Sequence, residues 1–352
     1  MTRIGIIGTG GMANAHANIL AKLPEAELHA ACDLDPDRLS SYAEKHGIPA
    51  TWTDPQAMLR KADIEAVIIA APDKAHAPLS IAALEAGKHV FCEKPLATSH
   101  AEAQSMVEAA RKAGTVNMVN FSYRNSSAWQ RAKEWIQEGE LGRVFHLEAH
   151  YLQGWLNSNH WGNYREEPHW LWRLSTEHGS TGVLGDLGVH ILDFATAPVG
   201  EVAELSCRLK TFSGKVPGDR VGEYRLDAND TAAITLEFAN EAVGSVTTTR
   251  CATGYVNALK LLVCGEKGAL RLDLDQAYAM IERCRVDPVT HLQTPWERLY
   301  CGSTPSNHER FLAAIRKSER GEPDFARGAE VQHLLDASIE SHGQRKPVRI
   351  RS

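Results

Sequence analysis

Residues 3–13 read Arg-Ile-Gly-Ile-Ile-Gly-Thr-Gly-Gly-Met-Ala. A short apolar run, Ile4 to Ile7, ends in Gly8-Thr9-Gly10, and a helical pattern starts near Met12. The spacing Gly8, Gly10, Ala13 is G-x-G-x-x-A. In a strand–turn–helix unit that receives a dinucleotide, the first glycine allows the tight turn and the second lets a pyrophosphate approach the backbone. The third, small residue lets helix and strand pack closely. The helix N-terminus, here Gly11 and Met12, offers free N–H groups and a partial positive charge to the phosphates. A second strand, Leu28 to Cys32, ends at Asp33, twenty residues after Ala13. An acid at that distance accepts hydrogen bonds from an adenosine ribose. Glycine turns also occur as plain structural turns; the strand–helix context and the acid favour the dinucleotide. Asp33 further favours NAD over NADP, because a carboxylate repels a 2′-phosphate. Leu34 brings no compensating charge, and Arg38 on the following helix is the nearby cation that would.

Outward from this stretch the chain alternates strand and helix. Asp35-Pro36 reads as an N-cap followed by proline at the first helical position, and Gly47 closes that helix. Thr53-Asp54-Pro55 starts a short helix. Ala66 to Ala70 is a continuous apolar run, as in a strand buried on both faces. Helix is expected over Ala75 to Ala86, strand over His89 to Cys92, and a capping box at Ser99-x-x-Glu102 for a helix to Ala113. Val116 to Asn120 is a further strand. Strands linked by helices in this way imply a doubly wound, mostly parallel, Rossmann-type α/β sheet over residues 1–122. Ligands of such sheets bind beyond the carboxyl ends of the strands. The turns at Gly8, Asp33, Ala71-Pro72 and Glu93-Lys94-Pro95 belong to that edge.

After Asn120 the pattern changes. An amphipathic helix is expected over Ser127 to Glu138, and then a strand over Val144 to Tyr151 with Phe145, Leu147, Ala149 and Tyr151 on one face. An irregular aromatic stretch runs from Leu152 to Ser180, followed by a helix around Thr181 to Ala195. Alternating segments near 201–213, 230–238, 243–250, 257–264 and 268–274 suggest a large, open, mainly antiparallel sheet. The stretch from Gly214 to Ala228 has loop composition, and helices close the chain near 307–318 and 327–342. Residues 123–352 are thus expected to form one α+β domain.

Composition narrows the function. Of 352 residues, 43% are hydrophobic and 23% charged, ordinary for a globular protein with ample core. A net charge of −6 without a long basic run argues against nucleic acid or an anionic membrane as partner. No apolar stretch approaches transmembrane length, and the N-terminus enters a strand directly, so no signal peptide is expected. Seven scattered cysteines without a C-x-x-C pair fit free thiols in a reducing cytoplasm. There is no H-E-x-x-H and no tight ligand cluster, so no metal is expected.

Three constellations carry chemistry. Lys94, in Cys92-Glu93-Lys94-Pro95, leaves the carboxyl edge of the sheet towards the nicotinamide end of a bound dinucleotide. Its ammonium can hold a substrate hydroxyl and stabilise charge on oxygen; a solvated lysine before a turn proline is the plain alternative. In Gly185-Asp186-Leu187-Gly188-Val189-His190-Ile191-Leu192-Asp193, Asp186 and His190 stand four apart on one helix face, with Asp193 near the same line. His190 titrates near neutrality and suits a general base for an alcohol; Asp186 orients it or holds a second hydroxyl. A buried His–Asp bond on a glycine-thinned helix would read the same way. Trp155 to Arg173 holds Trp155, Trp161, Trp170, Trp172, His160, His169, Arg165 and Arg173. Aromatic faces beside hydrogen-bonding groups suit a polyol or sugar, or else form an aromatic cluster between domains. Trp161, Arg165, Trp172 and Arg173 are the expected substrate contacts from this loop, joined by Asn120 and Tyr123 at the end of the strand Val116 to Asn120.

Together, GTGGMA at 8–13, ALEAGKHVFCEKPLA at 83–97 and STGVLGDLGVHILD at 180–193 resemble the Gfo/Idh/MocA oxidoreductases, the relatives of glucose–fructose oxidoreductase and inositol dehydrogenase. The resemblance spans nearly the whole chain. It implies a Rossmann domain, a second domain whose open sheet often serves oligomerisation, and a homodimer or homotetramer. Carried over by motif, Lys94 positions substrate, His190 is the general base and Asp186 its partner. His76 matches a histidine near the cofactor, and Glu93 an acid by the nicotinamide ribose. Many relatives have three glycines before the D-x-x-x-H pair; here the run is Gly179-Ser180-Thr181-Gly182-Val183-Leu184-Gly185. The implied activity is NAD-dependent oxidation of a secondary alcohol of a sugar, sugar derivative or cyclitol. Glycoside cleavage by transient oxidation and elimination, and a non-catalytic NAD-binding sensor, are the alternatives.

Overall fold

The computed structural model describes residues 1–350, with two compact units. The first comprises Met1–Ser122 and Pro305–His333, and the second Tyr123–Thr304 and the residues from Leu334 onward. In the first unit, strands β1 (Thr2–Ile7), β2 (Ala26–Cys32), β3 (Ala50–Trp52), β4 (Ala66–Ile69), β5 (His89–Cys92) and β6 (Asn117–Val119) form one sheet in the order β3-β2-β1-β4-β5-β6. Every pairing is parallel. The order reverses between β1 and β4, the place where such sheets open a crevice for a ligand. Helices α1 (Gly11–Leu20), α2 (Pro36–His46), α3 (Pro55–Lys61), α4 (His76–Glu85) and α5 (His100–Ala113) make the connections.

Local chemistry sets these boundaries. Asp35 accepts the Asp37 and Arg38 N–H groups to start α2, and Gly47, left-handed at φ 65°, ends it. Asp54 caps α3 through the Gln56 N–H. The expected capping box of α5 is only half formed. Ser99 accepts the Glu102 N–H, but the Glu102 carboxylate turns to the N–H and hydroxyl of Thr98, at 3.0 and 2.6 Å. A 3₁₀ turn, Asp73–Ala75, precedes α4, which therefore begins at His76.

The helix Asn307–Lys317 corrects the expected extent of the second domain. Its Phe311, Leu312 and Ala314 are buried in one cluster with Ile4, Ile6, Ile68, Phe91 and Met118 of the first unit. Amphipathic spacing shows that the helix has a buried face but not which core that face joins. A complete capping box, Ser306 with Glu309, starts it.

The second unit holds α6 (Ser127–Gln137), β7 (Val144–Leu152), α7 (Val189–Val199), β8 (Val202–Lys210), a small hairpin of β9 (Arg220–Val221) and β10 (Tyr224–Arg225), β11 (Thr231–Phe238), β12 (Val243–Thr249), β13 (Ala258–Gly265), β14 (Gly268–Asp273), β15 (Met280–Arg285), β16 (Glu297–Tyr300) and β17 (Val348–Arg349). Nine of these strands make one sheet in the order β16-β15-β14-β13-β7-β12-β11-β8-β17. All pairings are antiparallel except β12 on β7. Phe145 departs from its expected face. Val144 pairs with Gly265 and His146 with Cys264, so Phe145 is the extra residue of a bulge and is 48% exposed, while Leu147, Ala149 and Tyr151 stay buried. Asp193 also leaves its expected line: it takes a bidentate bond from buried Arg124, both distances 2.7 Å, tying the start of α6 to α7.

Candidate active site

At the carboxyl edge of the first sheet, Gly8 turns with φ 90°, and a Cβ there would meet the Ala70 carbonyl at 2.6 Å. Gly10 caps α1 without a side-chain bond, and a Cβ on Gly10 or Gly11 would meet nothing within 4 Å. No neighbour therefore crowds the start of α1 at these two positions. Met12, 51% exposed, follows. Asp33 is held from several sides: Thr9 donates its N–H and hydroxyl to Oδ2, each at 2.8 Å, and the Asp35 N–H reaches Oδ1. Arg38 donates Nε to Oδ2 at 3.1 Å and Nη2 to Oδ1 at 2.6 Å. Burial works against ionisation, but Arg38, Asp35 and Thr9 outweigh it and hold the Asp33 carboxyl well below the usual range.

Beneath the Glu93-Lys94-Pro95 turn lies a buried polar chain. Asn307 Nδ2 donates to Asn120 Oδ1 at 2.9 Å, and Asn120 Nδ2 donates to Glu93 Oε1 at 2.6 Å. His16 Nε2 lies 2.9 Å from the same oxygen, and His16 Nδ1 lies 2.8 Å from His308 Nε2. The Lys94 N–H reaches Glu93 Oε2 at 3.2 Å. Burial opposes the Glu93 charge, yet His16 and Asn120 carry its pKa down to about 2. Burial and then the neighbouring His16 push His308 down to about 3. His76 is 1% exposed, with its ring nitrogens against the carbonyl oxygens of Pro95 and Ala71.

The second unit contains a cavity of about 550 Å³ lined by Tyr151, Gln153, Trp155, Trp161, Trp170, Arg173, Asp186, Leu187 and His190. Asp186 and His190 reach it from one helical run, which is wound as a π turn over Leu184–Gly188 before α7. Such turns are frequent at functional sites. Gly182, at φ 70°, admits the Asn229 side chain, where a Cβ would overlap it. Asn229 in turn accepts the Leu184 N–H at 3.0 Å. Arg250, 0% exposed, braces the wall: it donates to Asp186 Oδ2 at 2.9 Å, to the Arg173 carbonyl at 2.9 Å and to the Gly182 carbonyl at 3.2 Å, and its guanidinium lies 5.4 Å from the Trp155 ring. Trp161 and Trp170 stack at 6.5 Å and 16°. The Tyr123 ring meets that of His190 edge-on at 5.0 Å, and its hydroxyl shares bonds with Tyr151 and Asn257.

Family models match both parts of the chain: an oxidoreductase family with an NAD-binding Rossmann fold over residues 2–121, and the Gfo/Idh/MocA C-terminal domain over 129–271. A levoglucosan dehydrogenase of Pseudarthrobacter phenanthrenivorans is 30% identical, over 96% of this chain and 95% of its own. The chain belongs to the Gfo/Idh/MocA oxidoreductases. Also similar is the D-glucoside 3-dehydrogenase of Escherichia coli, 28% identical over 96% of this chain and 95% of its own. The solved structure of levoglucosan dehydrogenase with NADH and levoglucosan matches all of both chains, with a TM-score of 0.89 and 27% identity.

As a Gfo/Idh/MocA protein the chain is an NAD-dependent dehydrogenase, and the first unit's edge fits that cofactor. Bare Gly10 and Gly11 leave room over the N–H groups of α1, and the acid at the end of β2 is ionised. Ala71 and Pro72 lie in the turn after β4 on the same edge. Glu93 and Asn120, expected at cofactor and substrate, are each 5% exposed and bonded to one another within the polar chain. Of the expected substrate contacts in the second unit, Trp161, Arg173, Asp186 and His190 line the cavity, and Tyr123 packs on His190. Arg165 and Trp172 are not among the lining residues. Arg165 lies over Tyr164 and bonds the Lys215 carbonyl, and Trp172 is 42% exposed beneath Arg173. Tyr151 is legible only as a strand residue, and Arg250, Gln153, His16 and His308 give no signal in the sequence; each has partners far along the chain. Among the described residues no group of three or more His, Cys, Asp or Glu is placed to hold a metal, and no helix is long and apolar enough to cross a membrane.

Proposed function

We propose that this dehydrogenase oxidises a ring secondary alcohol of a sugar derivative, a glycoside foremost, with Lys94, Asp186 and His190 as its catalytic residues. The observation that carries this reading is the 550 Å³ cavity in which Asp186 and His190 share walls with Trp155, Trp161 and Trp170. Aromatic planes cover the C–H faces of a pyranose, while carboxylate and imidazole take its hydroxyls. The names of the similar proteins, levoglucosan dehydrogenase and D-glucoside 3-dehydrogenase, support the same class. Bound NAD supplies the hydride acceptor. His190 takes the proton of the reacting hydroxyl. Asp186, braced by Arg250, accepts a neighbouring hydroxyl and orients the ring. Lys94 holds the reacting oxygen and stabilises its developing charge. Copies of the chain pair through the nine-stranded sheet in this reading, which light scattering tests.

The decisive experiment follows NAD reduction by absorbance across glycosides, levoglucosan, inositols, free sugars and sugar acids, with NADP alongside. Reduction with glycosides or levoglucosan supports the reading. Consumption of a glycoside without net NADH would replace it with oxidation–elimination cleavage. Bound NAD with no turnover on any of these would make the chain a sensor.

A further inference from the structure

Both ring nitrogens of His76 face backbone carbonyl oxygens. The ring is buried at the first turn of α4, with Nδ1 2.7 Å from the Pro95 carbonyl oxygen and Nε2 2.9 Å from the Ala71 carbonyl oxygen. A carbonyl oxygen only accepts, so each nitrogen must donate. Neutral imidazole has one N–H. It would turn a lone pair onto one of these oxygens, either the buried Pro95 carbonyl or the half-buried Ala71 carbonyl.

We propose that His76 is an imidazolium throughout the working pH range, a staple that joins the turn after β4 to the turn carrying Lys94 and sets a fixed positive charge at the cofactor edge of the sheet. Burial and the N-terminus of α4 both disfavour that charge. Cys92, the Pro95 carbonyl and Asp73, the groups that face it from β5, its following turn and the 3₁₀ turn, outweigh them and carry the pKa to about 10. With the side chain 1% exposed and both nitrogens used, His76 is a positioning residue: it holds backbone rather than touching cofactor. The charge has a second effect. Oxidised nicotinamide is a cation and reduced nicotinamide is neutral, so a nearby fixed cation weakens binding of NAD⁺ relative to NADH. The protonation state stands apart from the proposed substrate; only this second effect rests on the NAD site.

The test starts on cofactor-free protein labelled with ¹⁵N-histidine, by long-range ¹H–¹⁵N correlation at pH 8.5. One histidine is expected to keep both nitrogens protonated there, to titrate near pH 10, and to vanish from the spectrum of His76→Gln. A wild-type spectrum with every histidine neutral at pH 8.5 overturns the proposal without any variant. Calorimetry then compares Kd for NAD⁺ and for NADH. In His76→Gln the ratio of the two should fall by about threefold or more, because the shared parts of the cofactor cancel. An unchanged ratio, with the imidazolium signal lost, overturns the electrostatic role.

Discussion

Around Asp33 and Glu93 the first unit turns its carboxylates inward to Thr9, Arg38, His16 and Asn120. The cavity of the second unit is walled by aromatic planes, and Trp170 Nε1, buried there, finds no hydrogen-bond acceptor among the described residues. The first region is a frame that is rigid before its ligand arrives, suited to one cofactor of fixed shape. The second sets aromatic faces around Asp186 and His190, and faces accept a range of rings. The difference accords with how a family keeps its cofactor while its substrates vary: polar preorganisation on one side, adaptable stacking on the other.

The largest test of this contrast is His190→Ala. Turnover should drop by about 10²- to 10⁴-fold, with NAD affinity measured by calorimetry unchanged. An equal loss in both would break the division of labour. Arg250→Met comes next. It strips donors from Asp186 and from the Gly182 and Arg173 carbonyls, so chemical denaturation should show a loss of about 3 kcal/mol, the low end for a broken buried pair because Asp186 is partly open to water. NAD affinity should again hold. Acid should attack the frame instead. His308 titrates at about 3 folded against 6.5 unfolded, so below pH 6.5 the unfolded chain gains a proton that the folded one refuses. Glu93 adds the same sign between 4.5 and about 2. The thermal midpoint should fall on acidification from pH 6.5, and His308→Gln should flatten the part of that slope above pH 4.5. On the alkaline side the stability owed to His76 is complete below pH 6.5 and lost as pH rises through about 10. The smallest effect is expected for Trp161→Ala. One stacking face is worth about 0.5–1.5 kcal/mol, so KM for a glycoside should rise by about twofold to thirteenfold with kcat kept. A fall in kcat instead would make Trp161 part of the chemistry.

What the sequence discloses follows the range of the interaction. Asp35, Asp54 and Gly47 act within a few residues of themselves, so their turns and caps are legible in the chain. So is the pairing of Asp186 with His190 at one cavity, because both sit on one helical run. The partners of those residues are not legible. Arg250 reaches Asp186 across 64 positions and His308 reaches His16 across 292. Periodicity sees a buried face but not its neighbour, so it groups Asp193 with Asp186 and His190 although Arg124 holds it. It also misplaces Phe145, because a bulge leaves no mark in the alternation on either side of it. Strands β15 and β16 alternate so many charged residues that their apolar face is too thin to notice.

The helix Asn307–Lys317 closes the first unit's core with Phe311 and Leu312 against Phe91 and Met118. On the ribosome, therefore, residues 1–122 emerge well before residues 307–317, which cover them. Until then they carry an apolar wall with no cover, the kind of surface that holding chaperones recognise. A gene cut after codon 122 would yield that uncovered wall rather than a portable cofactor module.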